Sequence, residues 1–408
     1  MVNILSLSVD QQALPSMAFF LHMYQPPIPI QTIPILKRII NNSYIPLTRK
    51  LLENSNLRIS ININASLSEM LLEYEGEEVI DNLKLLSESN QIEFLESACY
   101  HPILPIIEPE YQKIQINFNR KLNNKIFGSS FNPKGFFPPE LAVNHELPYL
   151  LKEMAYKYCI FPSTSFPSLL NIGIPYLMID NSKFFLLPRN RTLSNDISFQ
   201  KFPSPNDFAK AVNHYSEGNE LSTPIIGMDF ETFGEHHKKY EDFLISSLEK
   251  IRILQLADLV QLHEFSNSDF KIISEDYVSS SWSTDSKTEL IPFPLWNHPN
   301  NSLHQLTLVL MNILSEGLNY IDDKNEKQLI PFLKAQQSCQ LWWESDGKFG
   351  PELVKRAIKF QITSLNNLAE LTQSQSPEKV IALKMLLKIA NKIVGQINKI
   401  IETKSKMN

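Results

Sequence analysis

The sequence has little glycine and little cysteine. Only 11 of its 408 residues are glycine, and neither GxGxxG nor GxxxxGK[ST] occurs, so a nucleotide-binding loop has no support. Its three cysteines, Cys99, Cys159 and Cys339, are far apart and form no CxxC pair. A zinc site or a redox pair is therefore not expected, and this cysteine usage favours a reducing cytoplasm. We predict no metal and no cofactor.

Long apolar runs and an excess of positive charge are also missing. No stretch approaches about 18 uninterrupted apolar residues, and the first residues lack the basic start of a signal peptide. The sequence therefore predicts neither membrane insertion nor secretion, and a cytoplasmic location fits best. The net charge of -6 gives no basic field that would attract nucleic acid. A neutral or small partner is expected, and the oligomeric state is left open.

Short apolar runs alternate with helical patterns over roughly the first 290 residues. This alternation favours a mainly parallel sheet with crossover helices, as in a barrel. The candidate strands are 17–22, 58–63, 91–96, 134–139, 158–162 and 224–230, and the candidate helices are 34–53, 66–88, 110–124, 144–156 and 205–217. Residues 172–202 are less regular and predict an antiparallel excursion or a lid.

From about residue 300 the sequence changes to long amphipathic segments. The segment 376–401 places apolar residues at steps of three or four, which is typical of a helix with one buried face. Ser376 and Pro377 are a plausible start signal for it. This part of the chain predicts a helical region that packs on the barrel.

Polar side chains gather where four candidate strands end. The four clusters are HMYQP (22–26), SACYHPILP (97–105), PPE (138–140) and GMDFETFGEHH (227–237). The carboxyl ends of parallel strands meet at one edge of a sheet, where the working groups of such folds lie. A single carboxylate at a strand end is commonly a helix cap or a surface acid. Four clusters that together supply His, Gln, Glu and Asp predict one active site.

Two carboxylates carry the chemistry in this interpretation. Glu140 follows Pro138 and Pro139, which stiffen the backbone where the side chain would enter the barrel mouth, and this suits a nucleophile. Asp229 ends an apolar strand, where a low dielectric would favour its protonated form and make it a general acid. A pair of carboxylates across one pocket can cleave a glycosidic bond, and their separation decides whether the anomeric configuration is retained or inverted.

In their order, these motifs resemble those of glycoside hydrolase family 57, the α-amylase and 4-α-glucanotransferase group. HMYQP is similar to the HxHQP motif of the family, with Tyr24 in place of the second histidine. GFFPPELAVN (135–144) resembles the nucleophile region, and GMDFETFGEHH resembles the acid/base region. Further similar segments are NQIEFLESACYHPILPII (90–107), SSSWST (279–284) followed by PFPLWNHPNNSLH (292–304), and SCQLWWESDG (338–347).

The resemblance implies an α/β fold: an incomplete (β/α)7 barrel in residues 1–295 and a helical bundle in 296–408 that contributes to the active-site cleft. It implies a retaining glycoside hydrolase that acts on α-glucans, with Glu140 as nucleophile and Asp229 as acid/base. The partner would be an oligosaccharide or polysaccharide substrate. The residues expected to bind it are His22, Gln25, His101, Glu231, His236, Trp282, Trp342 and Trp343.

Three other functions stay open at this point. A 4-α-glucanotransferase would use the same carboxylates and pass the sugar to another sugar. A metal-dependent polysaccharide deacetylase needs an Asp with an HxxxH pair, and the sequence contains no HxxxH. A noncatalytic carbohydrate-binding protein would not need both carboxylates. Tyr24 also bears on substrate preference, because a phenol cannot change charge near neutral pH as imidazole does.

Overall fold

The computed structural model describes residues 15–167, 174–216, 223–264, 270–284, 291–322 and 324–407. The strands are β1 (Ser16–Met23), β2 (Ile59–Ile63), β3 (Ile92–Leu95), β4 (Gly135–Phe136), β5 (Tyr158–Pro162), β6 (Pro175–Ile179), β7 (Ser182–Arg189), β8 (Ile225–Asp229), β9 (Arg252–Leu254) and β10 (Phe270–Lys271). The helices are α1 (Ile33–Ile39), α2 (Ile45–Glu53), α3 (Ala65–Glu73), α4 (Glu77–Glu88), α5 (Pro109–Phe127), α6 (Leu147–Glu153), α7 (Arg191–Ser198), α8 (Pro205–Ser216), α9 (Tyr240–Leu248), α10 (Leu256–Glu264), α11 (Ser302–Asn319), α12 (Glu326–Ala335), α13 (Cys339–Glu344), α14 (Pro351–Thr372) and α15 (Pro377–Met407).

Seven parallel strands follow one another around a nearly closed barrel, in the order β1, β2, β3, β4, β5, β7 and β8. Two junctions are short: β3 meets β4 through a bridge between Glu96 and Phe136, and β7 meets β8 where Arg189 pairs with Ile225. The predicted incomplete (β/α)7 barrel is confirmed. The predicted antiparallel excursion is the pairing of β6 with β7, although β7 is also a barrel strand that the sequence analysis missed.

The interior of the barrel is filled by apolar side chains that alternate along the strands with outward-facing ones. Those inside form one buried cluster, which includes Phe20, Leu95, Ile160 and Leu187. Gly227 is required here, because the ring of Phe20 lies 2.2 Å from where a Cβ of residue 227 would stand. This packing leaves the C-terminal mouth of the barrel for polar side chains.

Helix α10 is anchored to β2 and β3 by its first backbone amides. The backbone N–H of Leu256 donates to Oγ of Ser60 at 3.0 Å, and that of Ala257 donates to Oε1 of Glu93 at 3.0 Å. These bonds satisfy amides that a helix leaves without partners at its N-terminus. Leu256 also belongs to the buried cluster of the barrel interior, so α10 packs on the core as well.

The predicted helix 34–53 is interrupted by a π-helical turn at Ile40–Tyr44, between α1 and α2. Pro46 lies at the start of α2 and has no N–H to donate to the carbonyl of Asn42, so the regular ladder breaks at this point. A π turn of this kind is frequently found at functional sites. Here it carries Tyr44 toward the barrel mouth.

The helices α11 to α15 pack together and against the barrel. One apolar cluster joins the two parts: it contains Tyr111 and Phe136 beside the barrel and Leu310, Leu365 and Ile397 of the helices. Helix α15 begins at Pro377, as predicted. The division of the chain into 1–295 and 296–408 stays a prediction. No helix within the described ranges is long and apolar enough to cross a membrane.

Candidate active site

The candidate active site lies at the C-terminal ends of the barrel strands. The register between β1 and β8 places His22 beside Asp229, and the register between β1 and β2 places His22 beside Asn62. Residues at one register position of neighbouring parallel strands point to the same face of the sheet. These three side chains therefore enter the barrel mouth together.

Two buried histidines form a hydrogen-bonded pair in this site. Nδ1 of His22 lies 2.7 Å from Oδ1 of Asn62, and the Nε2 atoms of His22 and His101 are 3.1 Å apart. Asn62 donates its own N–H to the carbonyl of Leu95 at 3.0 Å, so its Oδ1 accepts from His22. Burial lowers the pKa of both histidines, which favours neutral rings. This assigns the proton of His22 to Nδ1 and makes His101 the donor between the two rings.

Glu140 is held between an indole and an imidazole. The indole N–H of Trp282 donates to Oε2 of Glu140 at 2.9 Å, and Nδ1 of His101 lies 3.7 Å from Oε1. Burial and the negative charge of Asp229 raise the pKa of Glu140 to about 8, while the bond from Trp282 lowers it. His22, the register partner of Asp229, pairs with the same His101, so the two predicted catalytic carboxyl groups lie at the same mouth of the barrel.

The backbone at this site takes conformations that residues with a side chain rarely adopt. The angle φ is +55° at His101, +58° at Glu140 and +47° at Leu141. Each left-handed residue costs on the order of 1–3 kcal/mol and persists where the surroundings hold it. At Glu140 the carbonyl accepts from the backbone N–H of Trp282 at 3.2 Å. Of these three residues, His101 and Glu140 bring their side chains together at the barrel mouth.

Arg189 places a buried guanidinium at the end of β7. Its Nε donates to the carbonyl of Gly227 at 2.6 Å, and its Nη2 donates to Oδ1 of Asn195 at 3.2 Å. Its Cζ lies 5.7 Å from the centre of the Trp282 ring, the arrangement of a cation–π contact. Burial lowers the pKa of Arg189 to about 10, while the charge of Asp229 acts in the opposite direction. Arg189 and Asp229 therefore attract each other when both are charged.

Glu231 is a buried carboxyl group beside Asp229. Its Oε1 accepts from Nε2 of Gln25 at 2.8 Å and from the hydroxyl of Tyr44. Burial and the charge of Asp229 raise the pKa of Glu231 to about 8, so its protonated form is favoured at pH 7. The structure thus joins the first and fourth sequence motifs through Gln25 and Glu231.

The loop after Asp229 packs closely on the π turn. Ser43 donates its hydroxyl to the carbonyl of Phe230 at 3.2 Å. Gly234 has φ of +100°, and a Cβ at this position would stand 1.9 Å from the carbonyl oxygen of Asn42. Only glycine fits this approach without a shift of the backbone. The second glycine of the motif therefore fixes the loop that carries Glu231.

The start of α13 brings two side chains of the helical region to the barrel mouth. Oγ of Ser338 lies 3.0 Å from Nδ1 of His101, and Sγ of Cys339 lies 3.2 Å from the hydroxyl of Tyr24. Since neutral His101 donates from Nε2, its Nδ1 accepts from the Ser338 hydroxyl. The ring of Tyr24 stacks on His101 with centres 3.9 Å apart. Tyr24 thus covers His101 and contacts Cys339.

The remaining predicted binding residues are less enclosed. Trp342 and Trp343 are half-buried and perpendicular, with ring centres 4.3 Å apart. Trp342 packs in an apolar cluster with Trp282, and Trp343 packs in another with Tyr24. His236, by contrast, is exposed on the loop. The catalytic and sugar-binding roles of all these residues stay predictions.

Several residues of this site were missed by sequence reasoning. Arg189 ends the apolar run 184–188, and a charged residue at a strand end was a signal that could have found it. Tyr44, Ser338 and Cys339 offer no such signal, because they reach the site through the packing of helices. Within the described ranges, no group of three or more His, Cys, Asp or Glu side chains is arranged to hold a metal ion.

The sequence matches the family model described as "Glycosyl hydrolase family 57" over residues 17–276, which is more than half of the chain. The chain belongs to this family. The resemblance stated from the motifs is confirmed. Trp282 and the helices from α11 onward lie beyond the matched residues.

Known relatives agree with this assignment. An α-amylase of Pyrococcus horikoshii is 25% identical over 268 residues, which are 61% of this chain and 41% of the relative. The chain spans about half of the length of the curated relatives it matches. A branching enzyme of the family from Thermococcus kodakaraensis has a TM-score of 0.71 at 15% identity, with 93% of this chain and 95% of that chain covered. A 4-α-glucanotransferase of Thermococcus litoralis has a TM-score of 0.67 at 18% identity, with 86% and 59% covered. These two structures show the shared fold.

Proposed function

We propose that this family 57 protein is a retaining glycoside hydrolase of the α-amylase type, with Glu140 as nucleophile and Asp229 as acid/base. The observation that carries the proposal is the chain of contacts at the barrel mouth: His22, the register partner of Asp229, pairs with His101, whose Nδ1 lies 3.7 Å from Oε1 of Glu140. Family membership and the names of the sequence relatives support α-glucans as the substrate class. The two carboxyl groups match the minimum that glycosidic bond cleavage requires.

The reaction proceeds in two displacements. The Glu140 carboxylate attacks the anomeric carbon while Asp229 gives a proton to the departing sugar oxygen, so that the leaving group departs as an alcohol. In the second step the Asp229 carboxylate takes a proton from water. The oxygen of that water attacks the anomeric carbon and releases Glu140. If a sugar hydroxyl replaces water in the second step, the outcome is transfer instead of hydrolysis.

The nucleophile role requires Glu140 to be ionised when sugar is bound. Its pKa of about 8 favours the protonated form at pH 7. The indole N–H of Trp282 is the contact that favours the carboxylate. The fraction of the enzyme in which Glu140 is ionised therefore depends on pH.

The test compares the wild type with Glu140→Gln and Asp229→Asn on maltoheptaose. We expect each variant to lose a factor of about 100 or more in rate, and Glu153→Gln, which changes an exposed carboxylate paired with Lys113, to keep the wild-type rate. Proton NMR of the first product gives the anomeric configuration, and retention is expected. Chromatography separates the two reactions, since products longer than the substrate would show transfer.

Two results would overturn the proposal. Wild-type rates in both carboxyl variants would remove the assigned site. A wild type that binds maltoheptaose without cleaving or rearranging it would support the noncatalytic alternative.

A further inference from the structure

Helix α15 carries apolar side chains on two of its faces. One face is buried, and its residues Leu383 and Ile397 pack in the cluster that joins the helices to the barrel. On a second face, Ile381, Met385 and Ile389 follow one another at steps of four, and they are 64%, 63% and 46% exposed. Single exposed apolar residues are ordinary on a protein surface. A row of them along one helix is instead typical of an interaction surface.

The exposed row borders an open groove formed by α15, α11 and the segment 105–108. The groove has a volume of about 550 Å³, and Leu386, Val309 and Ile313 are among its lining residues. Leu386 and Ile389 are three positions apart on α15 and are therefore neighbours on its surface. The row and the groove thus form one apolar surface. We call it the α15 face, and it comprises Ile381, Met385, Leu386, Ile389, Val309 and Ile313.

The two sides of the α15 face carry opposite charges. Three lysines form a second row on α15, beside the exposed apolar row and on the side away from Leu386: Lys384, Lys388 and Lys392. On the side of the groove, Glu108 and Glu316 are among the lining residues. A surface with cations along one side and anions along the other can match a second copy of itself.

The charges beside the α15 face are not used in ion pairs within the described part of the chain. Two lysines near the ends of α15 are paired, Lys379 with Asp322 at 2.6 Å and Lys404 with Asp346 at 3.2 Å. Over the same described ranges, the three lysines of the row and the two glutamates of the groove form no ion pair. These five charges are therefore available to another molecule.

The ion pair between Lys379 and Asp322 also indicates the relative direction of α11 and α15. Asp322 lies just beyond the end of α11, and Lys379 lies in the first turn of α15, so the two packed helices run antiparallel. Glu316 is near the end of α11 and therefore lies at the level of the first half of α15. Lys384 and Lys388 belong to that half.

We propose that a second copy of this chain covers the α15 face, in a symmetric dimer whose two α15 helices run parallel. With a two-fold axis along the helix direction, the lysine row of each copy lies against the groove glutamates of the other. With the axis across the helices, the helices would run antiparallel and the two lysine rows would meet. Like charges across an interface oppose association, so the charges select the parallel arrangement. This dimer does not depend on the proposed function.

Sedimentation velocity of the purified protein tests whether the dimer forms. One helix face and its groove make a small interface, so we expect a monomer–dimer equilibrium with a Kd on the order of 10 μM, visible between about 1 and about 100 μM. Met385→Asp places a short carboxylate in the middle of the face and should weaken the dimer by about tenfold or more. A monomer over the whole range would overturn the proposal.

The matched control for Met385→Asp is Leu85→Asp. Leu85 is an apolar residue of α4 that is 52% exposed, and its replacement should leave the Kd unchanged. Both positions are open to solvent, so both variants should fold, and circular dichroism checks this. Equal Kd values for the wild type and Met385→Asp would also overturn the proposal.

An exchange of charges tests which sides of the two copies meet. Lys388→Glu and Glu316→Lys each place like charges across the parallel interface, and each should raise the Kd by about threefold to tenfold. The double variant carries both changes in every copy and restores opposite charges, so its Kd should return to within about threefold of the wild type. A double variant weakened by the product of the two single effects would contradict the proposed contact.

Surface cysteines test the direction of the helices. The native Cys99, Cys159 and Cys339 are buried, so an added thiol reports alone. Met385→Cys and, in a separate variant, Gln396→Cys place thiols on the same side of α15 about 16 Å apart. In the parallel dimer each position lies opposite its own copy, so both variants should form an intersubunit disulfide with copper phenanthroline and oxygen.

Leu85→Cys is the control for this oxidation and should remain monomeric on a non-reducing gel. An antiparallel pair brings at most one of the two α15 positions opposite its own copy. A disulfide in only one of the two variants would therefore overturn the parallel arrangement, and a disulfide in neither would overturn the dimer.

Discussion

Trp282 donates its indole N–H to Oε2 of Glu140 across 142 positions of the chain. The ring also packs edge-on against Phe137, with centres 6.1 Å apart. The sequence analysis predicted Trp282 as a residue that binds sugar. The structure adds an electrostatic role, because a hydrogen bond to a carboxylate favours its charged form.

Replacing Trp282 by Phe should move the pH dependence of catalysis. Without the donor, the pKa of Glu140 rises further, so the acidic limb of kcat/KM should move to higher pH by about one unit. The rate below that limb should fall by about tenfold. Initial rates on maltoheptaose across pH 5 to 9 measure both. Trp296→Phe is the control, since Trp296 is buried in the neighbouring cluster, and identical profiles of the two variants would contradict this role.

Ser338→Ala should lower activity more than it lowers stability. The variant loses the donor to Nδ1 of His101, which frees that ring to change tautomer and orientation. We expect kcat/KM to fall by about tenfold, because the net free energy of the lost hydrogen bond is about 1 kcal/mol or somewhat more. Ser364→Ala removes a similar bond, 2.7 Å to the carbonyl of Pro331 in the helices, and should leave kcat/KM unchanged. Equal losses of activity in both variants would assign the effect to the helices as a whole.

Glu344→Gln should make stability less sensitive to alkaline pH. Glu344 is fully buried; Oε1 accepts from Thr307 at 2.8 Å and from Gln340 at 2.9 Å, and Oε2 has no partner. Burial raises its pKa to about 8 from an ordinary value of 4.5. A raised pKa means that the folded state holds the proton more tightly. The stability from this group is complete below pH 4.5 and is lost as pH rises through about 8.

Thermal unfolding between pH 6 and pH 9 measures this difference. The wild type should lose more stability over that interval than Glu344→Gln, with a difference of a few kcal/mol at most. Glu352→Gln serves as the control. Its exposed carboxylate is paired with Lys355, which lowers its pKa, so the variant should follow the wild type above pH 6. An equal loss in wild type and Glu344→Gln would show that the group is ionised in the folded protein.

Gly234→Ala and Gly395→Ala should change stability in opposite directions. At Gly234 the positive φ and the carbonyl of Asn42 oppose a Cβ, and we expect a loss of about 2 kcal/mol or more. Gly395 lies within α15, and apart from its chain neighbours and the backbone of that helix no atom lies within 4 Å of a new Cβ, so alanine should add up to about 1 kcal/mol. Urea unfolding gives both values. A gain at residue 234 would contradict the described fit of the loop on the π turn.

The sequence predicted those parts of the fold that depend on local pattern. The six candidate strands all lie in the barrel, and α15 begins at Pro377, because alternation and helical spacing are local properties. Strand β7 was missed because it pairs on both edges, parallel to β5 and antiparallel to β6, in a segment without a clear period. The turn at Ile40–Tyr44 depends on Pro46, which interrupts a pattern that otherwise indicates one helix.

The residues of the candidate site also divide into those that a local sequence pattern predicts and those that it does not. His22, Glu140 and Asp229 could be placed because each lies at or shortly after the C-terminal end of a barrel strand. The hydrogen bond from Tyr44 to Glu231 spans 187 positions, and no local pattern encodes it. The raised pKa of Glu140 was also outside sequence reasoning, since it depends on burial and on Asp229 rather than on the neighbours of Glu140 in the chain.

The hydrogen bond between His101 and Ser338 bears on the order in which parts of the protein fold during synthesis. Its two ends are 237 positions apart, and contacts between such distant residues form late because a long loop must close first. Both carboxyl groups leave the ribosome well before Ser338 does. The imidazole of His101 therefore lacks the Ser338 hydroxyl until the helical region has been synthesised and has packed against the barrel.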